Sequence, residues 1–170
     1  MKRTLNGLFI IVSLIFAASC DLFPTHVTVE FDYKKFQEQK SLWNSSKPDN
    51  YQYRLEYWSN GFSDYVKTLI IVENGKYKNQ LPDVLTTEGG YTSKSYYDLT
   101  ITEVYERIEE EYKRYNDTYQ KFNYLKKISI VYDTENHIPI EVKKYYYVPA
   151  NVADASSYAE TTISEYKVND

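Results

Sequence analysis

The chain has 170 residues, a net charge of −4 and 42% apolar residues, and tyrosine alone accounts for 20 positions. This length predicts one domain, and the apolar content is enough to bury a core, which excludes a disordered chain. The acidic balance argues against a nucleic-acid partner, and a single cysteine excludes both a disulfide framework and a cysteine-based zinc site.

The N-terminus has the pattern of an export signal. Lys2 and Arg3 precede an apolar run from Leu8 to Ala18, and small residues follow directly before Cys20. The run is shorter than the roughly 20 apolar residues that a membrane-spanning helix needs. The pattern therefore predicts a signal peptide over residues 1–19.

The position of Cys20 resembles the lipobox of bacterial lipoproteins, in which this cysteine is diacylated and becomes the first mature residue. Ala17 stands where that motif favours leucine. The alternative is ordinary cleavage before Cys20, which would leave a reactive thiol in an exported protein, an uncommon arrangement. We expect the lipid on Cys20 to hold the protein on a membrane of the cell envelope, on the periplasmic side or at the cell surface, through a tether of residues 20–30.

Without residues 1–19, and so without Lys2 and Arg3, the chain has 18 basic against 24 acidic side chains, a net charge of −6. A domain of this sign adds no electrostatic attraction to anionic lipid. The lipid would therefore carry the attachment to the membrane.

The domain is predicted to span residues 31–170. Its first half reads as one helix and three strands. Aromatic residues at helical spacing predict a helix over Phe31–Trp43, and Pro48 ends it. Alternating apolar residues and an Asn74-Gly75 turn predict strands over Tyr51–Trp58, Tyr65–Glu73 and Lys76–Gln80. Residues 83–98 read as a long polar loop, mobile rather than functional.

The second half repeats this order. Thr100 and Glu103 fit a capping box, which begins a helix that runs to about Tyr115. The acidic run Glu109–Glu111 reads as the solvated face of this helix. Three strands follow, over Tyr124–Tyr132, Ile138–Val148 and Tyr158–Val168.

The sequence thus predicts an α+β fold in which two amphipathic helices pack on one face of a twisted antiparallel sheet of five to six strands, in the order α-βββ-α-βββ. Two halves of the same order suggest a degenerate internal repeat. A repeat requires pseudo-symmetry between the halves.

Four elements of the chain resemble a family of bacterial secreted and lipoprotein domains of unknown function. They are Trp43, Tyr51-x-Tyr53, Asn74-Gly75 and Tyr132-Asp133-x5-Pro139. The resemblance covers Lys35 to Val168, and it implies export and a small α+β domain without a known catalytic residue.

The last of these elements also has a structural interpretation. Asp133 is placed to accept backbone N–H groups at a turn, and Pro139 suits the first position of a strand. Tyr132 ends the preceding strand, and we expect it to pack near Trp43.

Catalytic motifs are scarce. The only imidazoles are His26, in the tether, and His137, in a hairpin loop, and the sequence predicts no metal or cofactor. A carboxylate pair such as Asp133 with Glu135 or Asp154 would suit an envelope hydrolase.

A binding function fits the residues better. Tyr145, Tyr146 and Tyr147 are consecutive in a strand, so either Tyr146 or the Tyr145/Tyr147 pair faces away from the core unless the sheet is covered on both sides. Exposed tyrosine is typical of interfaces and also stacks on sugars. We therefore expect an envelope module that binds a protein or a glycan, with an inhibitor of an exported enzyme as a variant of this role. Compositional bias toward tyrosine is the competing explanation.

Overall fold

The computed structural model describes residues 28–60, 65–78, 84–86, 99–117, 124–147 and 157–169. Within these ranges the chain forms two helices and seven strands, numbered here in chain order. They are α1 (Tyr33–Ser46), β1 (Tyr51–Ser59), β2 (Tyr65–Glu73), β3 (Lys76–Lys78), β4 (Val84–Thr86), α2 (Ile101–Asp117), β5 (Tyr124–Tyr132), β6 (Pro139–Tyr147) and β7 (Tyr158–Val168). The predicted signal peptide, Cys20 and most of the predicted tether lie outside the described residues, as do residues 87–98.

The strands form one antiparallel sheet in the order β3-β2-β1-β7-β6-β5, and β4 also pairs with β2. The predicted α+β class, with two helices and an antiparallel sheet, is confirmed. The bounds of β2, β5 and β7 agree with the alternation pattern.

Strand β4 corrects the prediction of a loop over 83–98. Val84–Thr86 pairs with Tyr65–Lys67 of β2, beside the short strand β3. Strand β3, described over Lys76–Lys78, pairs with Ile71–Glu73, so it leaves this part of the β2 edge open for another strand. A three-residue strand is too short to show alternation, so the sequence pattern did not reveal it.

The helix ends are capped by side chains. Asp32 accepts the N–H of Lys35 at 3.0 Å at the start of α1. At the start of α2 the predicted capping box is present, since Thr100 Oγ1 accepts the N–H of Glu103 at 3.2 Å and Glu103 Oε2 accepts the N–H of Thr100 at 2.6 Å. Both helices therefore begin where a side chain satisfies their first free amides.

Both helices pack on the same face of the sheet, here called the inner face. The Trp43 ring of α1 meets Tyr51 of β1 edge-on, with the ring centroids 5.6 Å apart. Phe36 and Tyr105 join the two helices, with their ring centroids 5.5 Å apart. Buried aliphatic side chains of α2 and the sheet complete this core, including Leu55, Ile70, Val104, Ile108, Val142 and Ile163.

Buried tyrosine hydroxyls fasten α2 to the sheet. The Tyr51 hydroxyl accepts the N–H of Ile101 at 3.1 Å, and the Tyr53 hydroxyl donates to the carbonyl of Leu99. Burial raises the pKa of Tyr51 to about 12 and that of Tyr53 well above its usual value, because the phenolate would lose its hydration. The two hydroxyls therefore stay neutral and hydrogen-bonded.

The two halves of the chain are not related by pseudo-symmetry. Strands β1 and β5, each the first strand of its half, run in opposite directions, and the order 3-2-1-7-6-5 places β7 next to β1. A two-fold axis that relates β1, β2 and β3 to β5, β6 and β7 must keep their order across the sheet and reverse their direction. Such an axis also turns the sheet over, so it would place the two helices on opposite faces. They share one face, so the predicted repeat is wrong.

The acidic run of α2 is not simply a solvated face. Glu109 accepts hydrogen bonds from Tyr33 at 2.7 Å, Gln37 at 3.1 Å and Lys40 at 2.5 Å, all on α1. Glu109 also pairs with Lys113, four residues further along α2, at 2.7 Å. A pair at this spacing can be read from the sequence of α2 alone, whereas the contacts with α1 cannot.

We predict that Glu109→Gln destabilises the fold by about 1–3 kcal/mol, because the neutral amide has one acceptor oxygen in place of two and no charge to balance the two ammonium groups. Burial raises the pKa of Glu109, but hydrogen bonds from Lys113, Lys40 and Tyr33 outweigh it and lower the pKa to about 2. The contribution of a carboxylate with a lowered pKa is present above the unfolded value near 4.5 and is lost as the pH falls toward 2. Urea unfolding at several pH values should show the difference between wild type and variant shrinking over that range. A difference that stays constant from pH 7 to pH 3 would contradict this account.

Candidate binding surface

The three consecutive tyrosines of β6 are divided between the two faces of the sheet. Tyr146 points to the inner face, where its hydroxyl donates to Glu111 Oε1 at 2.7 Å and Lys144 pairs with the same carboxylate. Tyr145 and Tyr147 point to the opposite face, here called the outer face, and are 36% and 59% exposed. Of the two predicted alternatives, the structure thus selects the Tyr145/Tyr147 pair as the candidate surface.

Tyr145 belongs to a row of three aromatic rings that crosses the outer face. Its ring centroid lies 5.3 Å from that of Tyr158 on β7, and Tyr158 lies 5.6 Å from Trp58 on β1. Trp58 is 43% exposed. We call Trp58, Tyr158 and Tyr145 the aromatic row, and Tyr147 lies two residues beyond it on β6.

Sequence reasoning missed Trp58 and Tyr158 as site residues. Trp58 stands on the polar side of the β1 alternation, opposite Tyr51 and Tyr53, which was a usable signal for an exposed aromatic. Tyr158 had no such signal, because its place between Trp58 and Tyr145 depends on β7 lying between β1 and β6.

Asn60 fixes the central ring of the row. Its side-chain oxygen accepts the N–H groups of Ser157 at 3.1 Å and Tyr158 at 3.0 Å, and its amide nitrogen donates to Ser157 Oγ at 2.9 Å. The Tyr158 hydroxyl donates to Glu160. The pKa of Tyr158 is raised, mainly by burial and next by its hydrogen bond to this carboxylate. Tyr158 therefore stays a neutral donor with a defined ring position.

Charged side chains border the aromatic row and neutralise one another. Lys67 pairs with Glu56 at 2.6 Å, and the hydrogen bond from Lys67 lowers the pKa of that carboxyl. On the other side, Lys143 lies 2.8 Å from Glu141 and 3.9 Å from Glu160. The surface as a whole is an aromatic strip between mixed charges.

Asp133, the carboxylate common to the pairs that the sequence offered for hydrolysis, is engaged in a turn. Asp133 accepts the N–H groups of Glu135 at 3.0 Å and Asn136 at 2.5 Å, as expected for a turn. The hydrogen bond from the backbone N–H of Asn136 is the main cause that lowers the pKa of Asp133, whereas a general acid needs a raised pKa. Asp154 lies outside the described residues.

The remaining motif residues hold the two ends of α1. Trp43, near its C-terminal end, packs on Tyr51 and Tyr166 and donates its indole N–H to Thr102 Oγ1 at 3.1 Å. Lys35, near its N-terminal end, lies over the Tyr132 ring at 5.7 Å from the centroid. Tyr132 thus has its cation contact at the end of α1 remote from Trp43.

The hairpin after β5 forms as its residues predict. Pro139 is buried at the first position of β6, opposite Tyr132. His137 has a φ of +58°, and its backbone carbonyl accepts the Tyr105 hydroxyl at 2.5 Å. The Asn74-Gly75 turn likewise has both residues at positive φ, +53° and +71°.

The described residues show neither a cluster of metal ligands nor a membrane-spanning helix. No three of their His, Cys, Asp and Glu side chains come together as metal ligands do. None of their helices is long and apolar enough to cross a membrane.

Comparison with known proteins gives no relative. No family model matches the chain, and no curated protein or solved structure matches it either.

We predict that Asn60→Ala lowers the unfolding free energy by about 1–3 kcal/mol and loosens the aromatic row, because it removes three hydrogen bonds to Ser157 and Tyr158. Asn60→Asp is the matched control, since it keeps the acceptor oxygen. Near-UV circular dichroism should lose part of its aromatic signal in the alanine variant and retain more of it in the aspartate variant. Equal spectra for the wild type and the alanine variant would contradict the anchoring role.

Proposed function

We propose that this chain is an exported, lipid-anchored binding module of the bacterial cell envelope, whose outer sheet face binds a protein partner. The observation that carries the binding role is the aromatic row Trp58–Tyr158–Tyr145, on the face opposite both helices. Trp and Tyr are the residue types that contribute most to protein interfaces, because a large rigid ring is buried at a low entropic cost.

The ring geometry favours a protein over a glycan. Neighbouring rings in the row are tilted by 55° and 58° to each other, so they present edges and faces instead of one flat platform. Stacking on successive sugar rings is favoured by aromatic faces that lie close to one plane. A protein surface offers side chains that fill a ridged strip of this kind.

The charged border supports the same choice. Glu56, Lys67, Lys143 and Glu141 form ion pairs of both signs around the aromatic row. A polar rim around an apolar centre is the usual organisation of a protein interface, in which the rim sets orientation and the centre gives affinity.

The lipid anchor rests on the sequence around Cys20. Basic residues, a short apolar run and small residues before the only cysteine are all accounted for by a lipoprotein signal. The domain carries no positive charge excess that would draw it to anionic lipid, so attachment depends on the acyl chains.

We predict that Cys20→Ala releases the protein from the membrane fraction when the full chain is produced in a bacterium, since the thiol is the only acylation site in the sequence. Mass spectrometry of the wild-type N-terminal peptide should show a chain that begins at Cys20 and carries a diacylglyceryl group. Ser19→Ala keeps a small residue before the cysteine and should remain lipidated. A wild-type peptide with an unmodified Cys20 thiol would rule out the anchor.

For the binding face, we predict that a photo-crosslinking residue at Tyr147 forms a defined protein adduct in intact envelopes, and that Trp58→Ser with Tyr145→Ser reduces this adduct about tenfold or more. That loss corresponds to at least about 1.4 kcal/mol, as expected for central aromatic residues of an interface. The same crosslinker at Glu106, exposed on α2, is the matched control and should not give the adduct.

Folding and ligand class are checked alongside. The serine variants should melt within a few degrees of the wild type, because the replaced side chains are partly exposed. Equal adducts from positions 147 and 106, or an adduct that is insensitive to the serine variants, would contradict the proposed face. Retention on envelope polysaccharide that depends on Trp58 and Tyr145, without a protein adduct, would assign the face to a glycan.

A further inference from the structure

One edge of the sheet is only half covered. The backbone N–H of Glu30 donates to the carbonyl of Lys126 at 2.9 Å, and the Glu30 carbonyl accepts the N–H of Ile128 at 3.0 Å. The chain then leaves the edge, because helix α1 begins at Tyr33. The segment before α1 thus pairs with the first part of β5 and with nothing beyond Ile128.

The rest of β5 presents free backbone groups. The N–H of Ile128 points away from β6, so the alternation of the strand makes the N–H and C=O of Ile130 point the same way. In the part of the chain that the structure describes, neither group of Ile130 has a hydrogen-bond partner at this edge. The opposite side of the sheet differs, since its strand β3 is three residues long and carries Lys76 and Lys78, which discourages further pairing.

A groove of about 400 Å³ runs beside this free edge, between β5 and the start of α1. Its walls include Phe31, Asp32, Lys35, Ile128, Ile130 and Tyr132. Phe31 and Ile130 are partly buried against the hydrophobic core, so they add apolar surface beside the unpaired backbone to a lining that is mostly polar.

The charges along the groove leave one cation for a ligand. Glu30 is paired with Lys127 at 2.5 Å, and Asp32 caps the helix through the N–H of Lys35. The Lys35 ammonium lies over the Tyr132 ring, 5.7 Å from its centroid, and the side chain is exposed. The Asp32 carboxylate also lies near Tyr132, so an acidic side chain of a ligand would meet a cation directly beside the Lys35 ammonium.

We propose that this groove binds an extended peptide segment of a partner protein, which pairs as an additional strand with Ile128–Tyr132 and places an acidic side chain beside Lys35. Backbone hydrogen bonds to the Ile128 C=O and to the Ile130 N–H and C=O supply affinity, and the Phe31 and Lys35 positions supply selectivity. The chain's own Glu30, already hydrogen-bonded to the same edge, shows that the edge accepts a strand.

A second copy of this chain fits the edge less well. Two β5 strands paired antiparallel about Ile130 would set the Glu30 of one copy at the level of Asp133 in the other, because Glu30 lies beside Lys127. Both would occupy the same lateral position beside the strand. A separate peptide avoids this overlap, since it begins where Glu30 leaves the edge.

The proposal is independent of the outer face. Ile128, Ile130 and Tyr132 have side chains on the inner side of β5, and the aromatic row lies across β1, β7 and β6. A negative binding result at one surface would therefore not contradict the proposal for the other surface.

The test uses the full mature chain and an acetylated octapeptide of alternating valine and polar residues with one central aspartate. Ile130→Pro removes the edge N–H but leaves the bonds to β6, and Ile130→Ala is the matched control that shortens the side chain and keeps the N–H. The proline variant should bind the peptide about tenfold or more weakly than the alanine variant. Amide chemical-shift changes should centre on residues 30–35 and 128–132.

Two further comparisons keep the proposal falsifiable if the proline variant folds poorly. The octapeptide N-methylated at alternate amides should lose binding, and Lys35→Glu should abolish the preference for aspartate over asparagine in the peptide. No binding at millimolar peptide, equal binding of the N-methylated peptide, or shift changes centred on Trp58 and Tyr145 would each overturn the proposal. Self-association that Ile130→Pro abolishes would instead assign the edge to a second copy.

Discussion

The attachment of helix α2 to the central strand β1 through buried phenol groups organises this fold. The Tyr51 hydroxyl accepts the N–H of Ile101, the first residue of α2, and the Tyr53 hydroxyl donates to the carbonyl of Leu99. Two side chains of β1 therefore fix the start of the helix. Once α2 is fixed, Tyr105 positions α1 through Phe36 and the β5–β6 hairpin through the His137 carbonyl. Each of these three phenol rings fills core volume, and each hydroxyl bonds a backbone group at the start of α2 or in the hairpin.

This arrangement accounts for much of the tyrosine content. On the inner face, Tyr51, Tyr53, Tyr105 and Tyr146 use ring and hydroxyl together to join helix, hairpin and sheet. On the outer face, Tyr145 and Tyr158 pack mainly against other aromatic rings. Compositional bias alone does not explain such a division, in which the inner tyrosines each have a defined bonding role.

Local sequence signals predicted the elements well because they depend on neighbours in the chain. The Thr100–Glu103 box, the Asn74-Gly75 turn and the alternation of β2 are short-range patterns, and all are present. The predictions that failed depended on contacts between distant parts of the chain. Glu109 was assigned to solvent because the sequence of α2 does not show that α1 packs beside it. The similar order of elements in the two halves suggested a repeat, but the strand order has no matching symmetry. The outer face was half predicted, since the periodicity placed Tyr145 and Tyr147 on one side, but Trp58 and Tyr158 join them only through the pairing of β7.

The central place of β7 also bears on how the molecule is assembled. Strand β7 lies between β1 and β6 and joins the two halves of the sheet, although its partners on β1 lie 100 or more positions earlier in the chain. Until Tyr158–Val168 is available, β1 and β6 each expose an open edge, and the contacts that close the core are among the most distant in the chain. A chain that emerges from its N-terminus therefore cannot close this sheet until Tyr158–Val168 is free to pair with both strands.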